Sequence, residues 1–102
     1  MDAQKREHNH SESRLYFINF ITPQLKNFLA QRIVWLYEAG KKQTMGQRFQ
    51  FDLNLYREYL FEACREAERL DLIPANSRLE VAIIMGSDEQ FYREVHSISE
   101  KL

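Results

Sequence analysis

The chain has 102 residues, 44% of them apolar and 28% charged, with only three glycines and two prolines. That balance suits one globular domain with a single core and weighs against both a disordered chain and a turn-rich all-β fold. Fourteen basic against fifteen acidic side chains give a formal net charge of −1, which argues against a dedicated polyanion binder.

Residues 1–10 (MDAQKREHNH) hold no apolar side chain beyond Met1 and Ala3 and are expected to form a flexible tail. No apolar h-region of a signal peptide follows, and residues 11–102 are expected to fold as one helical domain. Leu15, Ile18 and Ile21 make a short helix, or the first limb of a kinked one, before Thr22-Pro23. Thr22 is a good N-cap and Pro23 suits a first helical position, so a fresh helix is predicted from Pro23 to Ala39 with Gly40 as its stop. Leu25, Phe28, Leu29, Ile33, Leu36 and Tyr37 lie along one side of it. The stretch from Leu15 to Tyr37 is too broken by Asn19, Lys26, Asn27, Gln31 and Arg32 to span a membrane.

Two patterns compete in the middle. Phe49, Phe51, Leu53 and Leu55 alternate like a strand, whereas Phe49, Leu53, Tyr56, Leu60, Ala63, Ala67 and Leu70 form a seam of steps of four and three. The seam is longer, and Thr44 with Gln47 matches a capping box. One long helix is therefore predicted, roughly Met45 to Asp71, packed antiparallel on the first. The segment Gly40 to Gly46, with Lys41 and Lys42, would be the hairpin connection. Pro74 and Asn76 mark a turn. Ser77 with Glu80, then Ser87 with Gln90, give two more capping-box patterns. Between them LEVAIIM reads as a helix ending at Gly86, although its β-branched residues also suit a strand. The last helix carries Phe91, Val95, Ile98 and Leu102 in steps of four and three. The fold expected is all-α, a four- or five-helix domain with a long central helix. The alternative is α+β, with strands near 48–55 and 79–85.

Motifs that carry chemistry are few. VAIIMGSDEQ resembles the opening strand and glycine-serine loop of the carboxyaminoimidazole ribonucleotide mutase family. That likeness covers about ten residues, and the sixteen that follow Gly86 are too few for the parallel sheet such a site requires. A helix-turn-helix likeness, with Ala82 and Gly86 at a suggestive spacing, meets an electrostatic objection. The would-be recognition helix holds Asp88, Glu89, Glu94 and Glu100 against Arg93 and Lys101. His8 and His10 lie in the tail, and His96 with Glu100 makes no carboxylate-bridged site, so no metal or cofactor is expected. Glu58, Glu62 and Glu66 interleave with Arg57, Arg65 and Arg69 as a solvated face. Cys64 is alone, so no internal disulfide forms, and it reads as a small buried hydrophobe in a reducing, cytoplasmic setting.

One feature stands out. Residues 15–21 are apolar all round a helix, and Phe28, Val34, Trp35 and Tyr37 follow on more than one face. A helix apolar on every side must be covered on every side, and a chain this short supplies few layers. The expectation is therefore a non-enzymatic interaction or regulatory module, associating as a homodimer or with another protein. Its surface would be Leu15, Phe17, Ile18, Phe20, Ile21, Phe28, Trp35 and Tyr37. A nucleic-acid-associated protein with Lys41, Lys42 and Arg48 as its footprint, and Arg14 and Lys26 as further candidates, is the reading from a second class. A ligand-binding or catalytic bundle using Tyr56, Tyr59 or His96 is the third.

Overall fold

A helix begins where something accepts the free N–H groups of its first turn, and each boundary here follows that rule. The computed structural model describes residues 16–44 and 52–101. Within them lie four helices and one helical turn at residues 16–18, with no strand, so the fold is all-α. The predicted tail, Leu15, Arg48 and the span 45–51 lie outside the described residues.

Helix α1 is Pro23–Gln43. Thr22 is extended, and its hydroxyl oxygen accepts the Leu25 N–H at 3.1 Å, as the sequence predicts. The far end differs. Gly40 stays helical and its carbonyl accepts the Thr44 N–H at 3.2 Å. The Thr44 hydroxyl donates to the Lys41 carbonyl at 2.8 Å, so Thr44 closes α1 instead of capping the next helix. A glycine inside a helix costs only about 0.5–1 kcal/mol. Lys41 and Lys42 in the last turn suit the negative end of the helix dipole.

Helix α2 is Leu53–Arg69. The predicted start near Met45 is corrected by Asp52, whose backbone is extended (φ −100°, ψ 174°) and whose carboxylate accepts the Leu55 N–H at 2.8 Å. An aspartate that caps one turn ends any helix running in from before it. The seam Tyr56, Leu60, Ala63 and Ala67 is buried, while its outer members Leu53 and Leu70 are 47% and 45% exposed. The helix closes when Asp71 turns left-handed (φ 60°). The Leu72 N–H then reaches the Ala67 carbonyl (2.9 Å) and the Asp71 N–H the Glu68 carbonyl (3.1 Å), the Schellman pattern without its usual glycine.

Helix α3 is Arg78–Gly86, so the β-branched run is helical and the strand alternative at 79–85 fails. Ser77 does not cap it; its hydroxyl donates to the Pro74 carbonyl. Glu68, ten residues earlier, accepts the Arg78 N–H at 3.1 Å and holds the guanidinium at 2.8 and 3.3 Å. Helix α4 is Glu89–Glu100. Its cap is Asp88, accepting the Phe91 N–H at 3.0 Å, and not the predicted Ser87, which closes α3 and donates to the Ile83 carbonyl at 3.1 Å.

α1 packs on both α2 and α4, α2 packs on α3, and α3 touches α4. Tyr37 lies by Tyr59 and Arg32 by Glu66, so α1 and α2 run in opposite senses. The core joins Leu25, Leu29, Ile33 and Tyr37 to Tyr56, Leu60, Val81, Met85, Phe91 and Val95. Each fully buried aliphatic or aromatic side chain contributes about 1.5–3 kcal/mol to folding. Tyr56 and Tyr92 meet edge to face, their centroids 4.7 Å apart, across the middle. No described helix is long and apolar enough to cross a membrane.

Candidate interaction surface

The residues of α1 sort by angle around its axis. Leu25, Leu29, Ile33 and Tyr37, spaced by four, form the buried stripe. Phe28, Ala30 and Val34 flank it, half-buried against the core. Trp35, two residues from both Ile33 and Tyr37, is therefore thrown to the opposite side and is 53% exposed.

The wall beside Trp35 comes from α4. Ile98 is 47% exposed, and with Asn27, Ala30, Gln31, Val34, Trp35 and Glu38 it lines a shallow groove between the two helices. The sequence seam assigned Ile98 to the core. The structure turns Ser99 inward instead, in register with Phe91 and Val95 by strict steps of four. The Arg32 guanidinium sits 4.3 Å from the Trp35 ring centroid, a cation–π contact.

The turn before α1 adds a second apolar patch. Three i to i+3 backbone hydrogen bonds close it: Asn19 to Tyr16 (3.2 Å), Phe20 to Phe17 (3.0 Å) and Ile21 to Ile18 (3.0 Å). Phe17 and Ile21 pack on the core, while Tyr16 and Ile18 are 55% and 48% exposed. Tyr16 meets Phe17 and Phe20 edge-on, with centroids 5.3 and 5.2 Å away.

Of the eight residues predicted for the interface, Ile18 and Trp35 are open and Phe17, Phe20, Ile21 and Phe28 are half-buried. Tyr37 is the correction. At 6% exposure it belongs to the core, so it offers no surface. Tyr16 and Ile98 are further exposed apolar residues beside this surface. A separate group of exposed leucines, Leu70, Leu72 and Leu79, surrounds the α2–α3 corner.

Several of the charged residues are paired. Arg65 meets Glu62 at 3.5 Å, Arg69 brackets Glu66, Arg93 meets Glu89 at 2.7 Å and Lys26 meets Asp88 at 3.6 Å. Glu62 and Glu66 of the glutamate row on α2 are thus paired with their helical neighbours as expected. The Arg69 hydrogen bond holds the Glu66 carboxyl below the ordinary carboxylate range. Lys41 and Lys42 are exposed at the end of α1, and Arg48, the third residue of the expected nucleic-acid footprint, lies outside the described residues.

Tyr56 is buried, and burial first, then the Asp88 charge, pushes its phenol pKa upward. His96 lies 3.4 Å from Glu100, and its ring is 5.6 Å from that of Tyr92. Cys64 is fully buried, and burial pushes its thiol up to about 12. A thiol so placed is a packing residue and not a nucleophile. Among the described residues no group of His, Cys, Asp and Glu side chains is arranged to hold a metal ion. Comparison with protein-family models, curated proteins and solved structures finds no match.

Proposed function

We propose that this chain is a non-enzymatic protein-interaction or regulatory module. It associates, as a homodimer or with another protein, through the outer face of α1 and the aromatic turn before it. The observation that supports this reading is Trp35, a tryptophan 53% exposed in the middle of a helix beside the 47% exposed Ile98. Large aromatic side chains of this kind carry a disproportionate share of binding energy at protein interfaces. A reducing compartment such as the cytoplasm suits the lone buried thiol of Cys64.

The test is absolute mass by size exclusion with light scattering over a range of concentrations, for wild type and Trp35→Glu. Trp35 is the right target because Phe28, half-buried on the core, would confound association with folding. The expected result is a wild-type dimer that the charged variant converts to monomer with unchanged helicity. A variant that associates as tightly as wild type rejects the surface.

A further inference from the structure

The inference that follows rests on the reading of α1 as an association face, and concerns what occupies it. Arg32 and Glu38 stand three residues before and three after Trp35. At a rise of about 1.5 Å per residue, they lie roughly 4.5 Å to either side of it along the axis. Arg32 touches the Trp35 ring, and Glu38 lines the groove that Trp35 and Ile98 share. Among the described residues neither makes a salt bridge within 4 Å, and the only carboxylate on which the Arg32 charge is seen to act is the more distant Glu66, already held by Arg69.

We propose that the occupant is a second copy of this chain, its α1 laid antiparallel across the first about a two-fold axis at Trp35. In that register each residue comes level with the one equally far beyond Trp35 in the other chain. Arg32 of each protomer then reaches Glu38 of the other, and the symmetry makes the ion pair twice. The remaining cations of α1 meet no like charge: Lys42 comes level with Phe28, Lys41 with Leu29 and Lys26 with Thr44.

The parallel alternative sets Arg32 against Arg32, Glu38 against Glu38 and each of the three lysines against itself, five repulsive levels in place of two attractive ones. Like charges in close register destabilise, and antiparallel helix dipoles attract, so charge selects the antiparallel pairing. A closed two-fold contact of this sort is the commonest form of soluble oligomer. Two indoles and two Ile98 side chains form its apolar centre. Asn27 and Gln31, neutral and polar, fall along the same stripe.

Charge reversal tests the register. Dimer dissociation constants are measured by sedimentation equilibrium for wild type, Arg32→Glu, Glu38→Arg and the double reversal, with thermal melts to confirm that all four fold. Each single reversal turns both symmetric attractions into repulsions and should weaken the dimer by about tenfold. The double reversal recreates both pairs and should return to within about threefold of wild type. A wild-type dimer that single reversals leave unchanged, or that the double reversal fails to rescue, overturns the antiparallel register. The association face itself would then still stand if Trp35→Glu dissociates the dimer. A wild type that is monomeric at every concentration overturns the register together with the self-association it rests on.

Discussion

Ser99 sits on the buried seam of α4 at 1% exposure, and its hydroxyl has no hydrogen-bond partner among the described residues. A hydroxyl taken out of water and left unpaired costs about 1–3 kcal/mol. Ser99→Ala removes that cost. It also gains helix propensity, about 0.5 kcal/mol at mid-helix and less here, one residue from the end of α4. The opposing effect is the lost volume of one oxygen atom, a void that costs under about 1 kcal/mol. The variant should therefore be more stable by about 1 kcal/mol, which for a domain of this size raises Tm by roughly 4–8 °C. Urea denaturation followed by circular dichroism measures it directly, with an unchanged m-value showing that compactness is unaltered. Cys64→Ser runs the same chemistry backwards, placing a hydroxyl where a fully buried thiol packs, and should destabilise by about 1–3 kcal/mol. If Ser99→Ala proves less stable than wild type, the hydroxyl has a partner, such as a carbonyl one turn back, and the reasoning fails.

Three further expectations follow from other parts of the molecule. The Arg78 hydrogen bond holds the Glu68 carboxyl below its ordinary value, so its contribution is present above the usual carboxylate range and lost as pH falls through the lowered pKa. Melting temperature against pH should show a shallower acid decline for Glu68→Gln than for wild type, and identical declines would refute the latch between α2 and α3. The Cys64 thiol, pushed up to about 12 by burial, should resist a disulfide reagent until urea unfolds the chain; rapid labelling of the native protein would contradict its place in the core. Because the chain has a single tryptophan, its emission should shift to the blue as concentration rises and the indole of Trp35 is covered. A concentration-independent spectrum would count against burial of Trp35 on association.

Helix content and most of the core are written locally, and could be read from spacing alone. The seam Tyr56, Leu60, Ala63 and Ala67, the buried Cys64 and the Thr22 cap depend only on helical periodicity and on a side chain three residues from the N–H it serves. Asp52 and Asp88 carried the same local signal. The capping-box pattern does not contain them, since it pairs a Ser or Thr with a following Gln or Glu, whereas an aspartate caps without that partner.

What spacing could not reveal are the choices made by contact between distant parts of the chain. Glu68 caps α3 from ten residues away, across a corner formed by the left-handed Asp71 and Asn76, so no local pattern announces it. Composition marks both Tyr37 and Trp35 as core material, and Ile98 as a better core residue than Ser99. Which of them faces inward is a matter of angle, since residues two apart on a helix point about 160° from one another. The packing of α1 on α2 and α4 turns Tyr37 in and Trp35 out, and the same packing exposes Ile98 beside it. The sequence by itself determined that this is an all-α chain with more apolar helix surface than one face can hide. Only the tertiary structure decided which part of that surface remains in water, because burial is settled by the neighbours a helix acquires and not by the residues it carries.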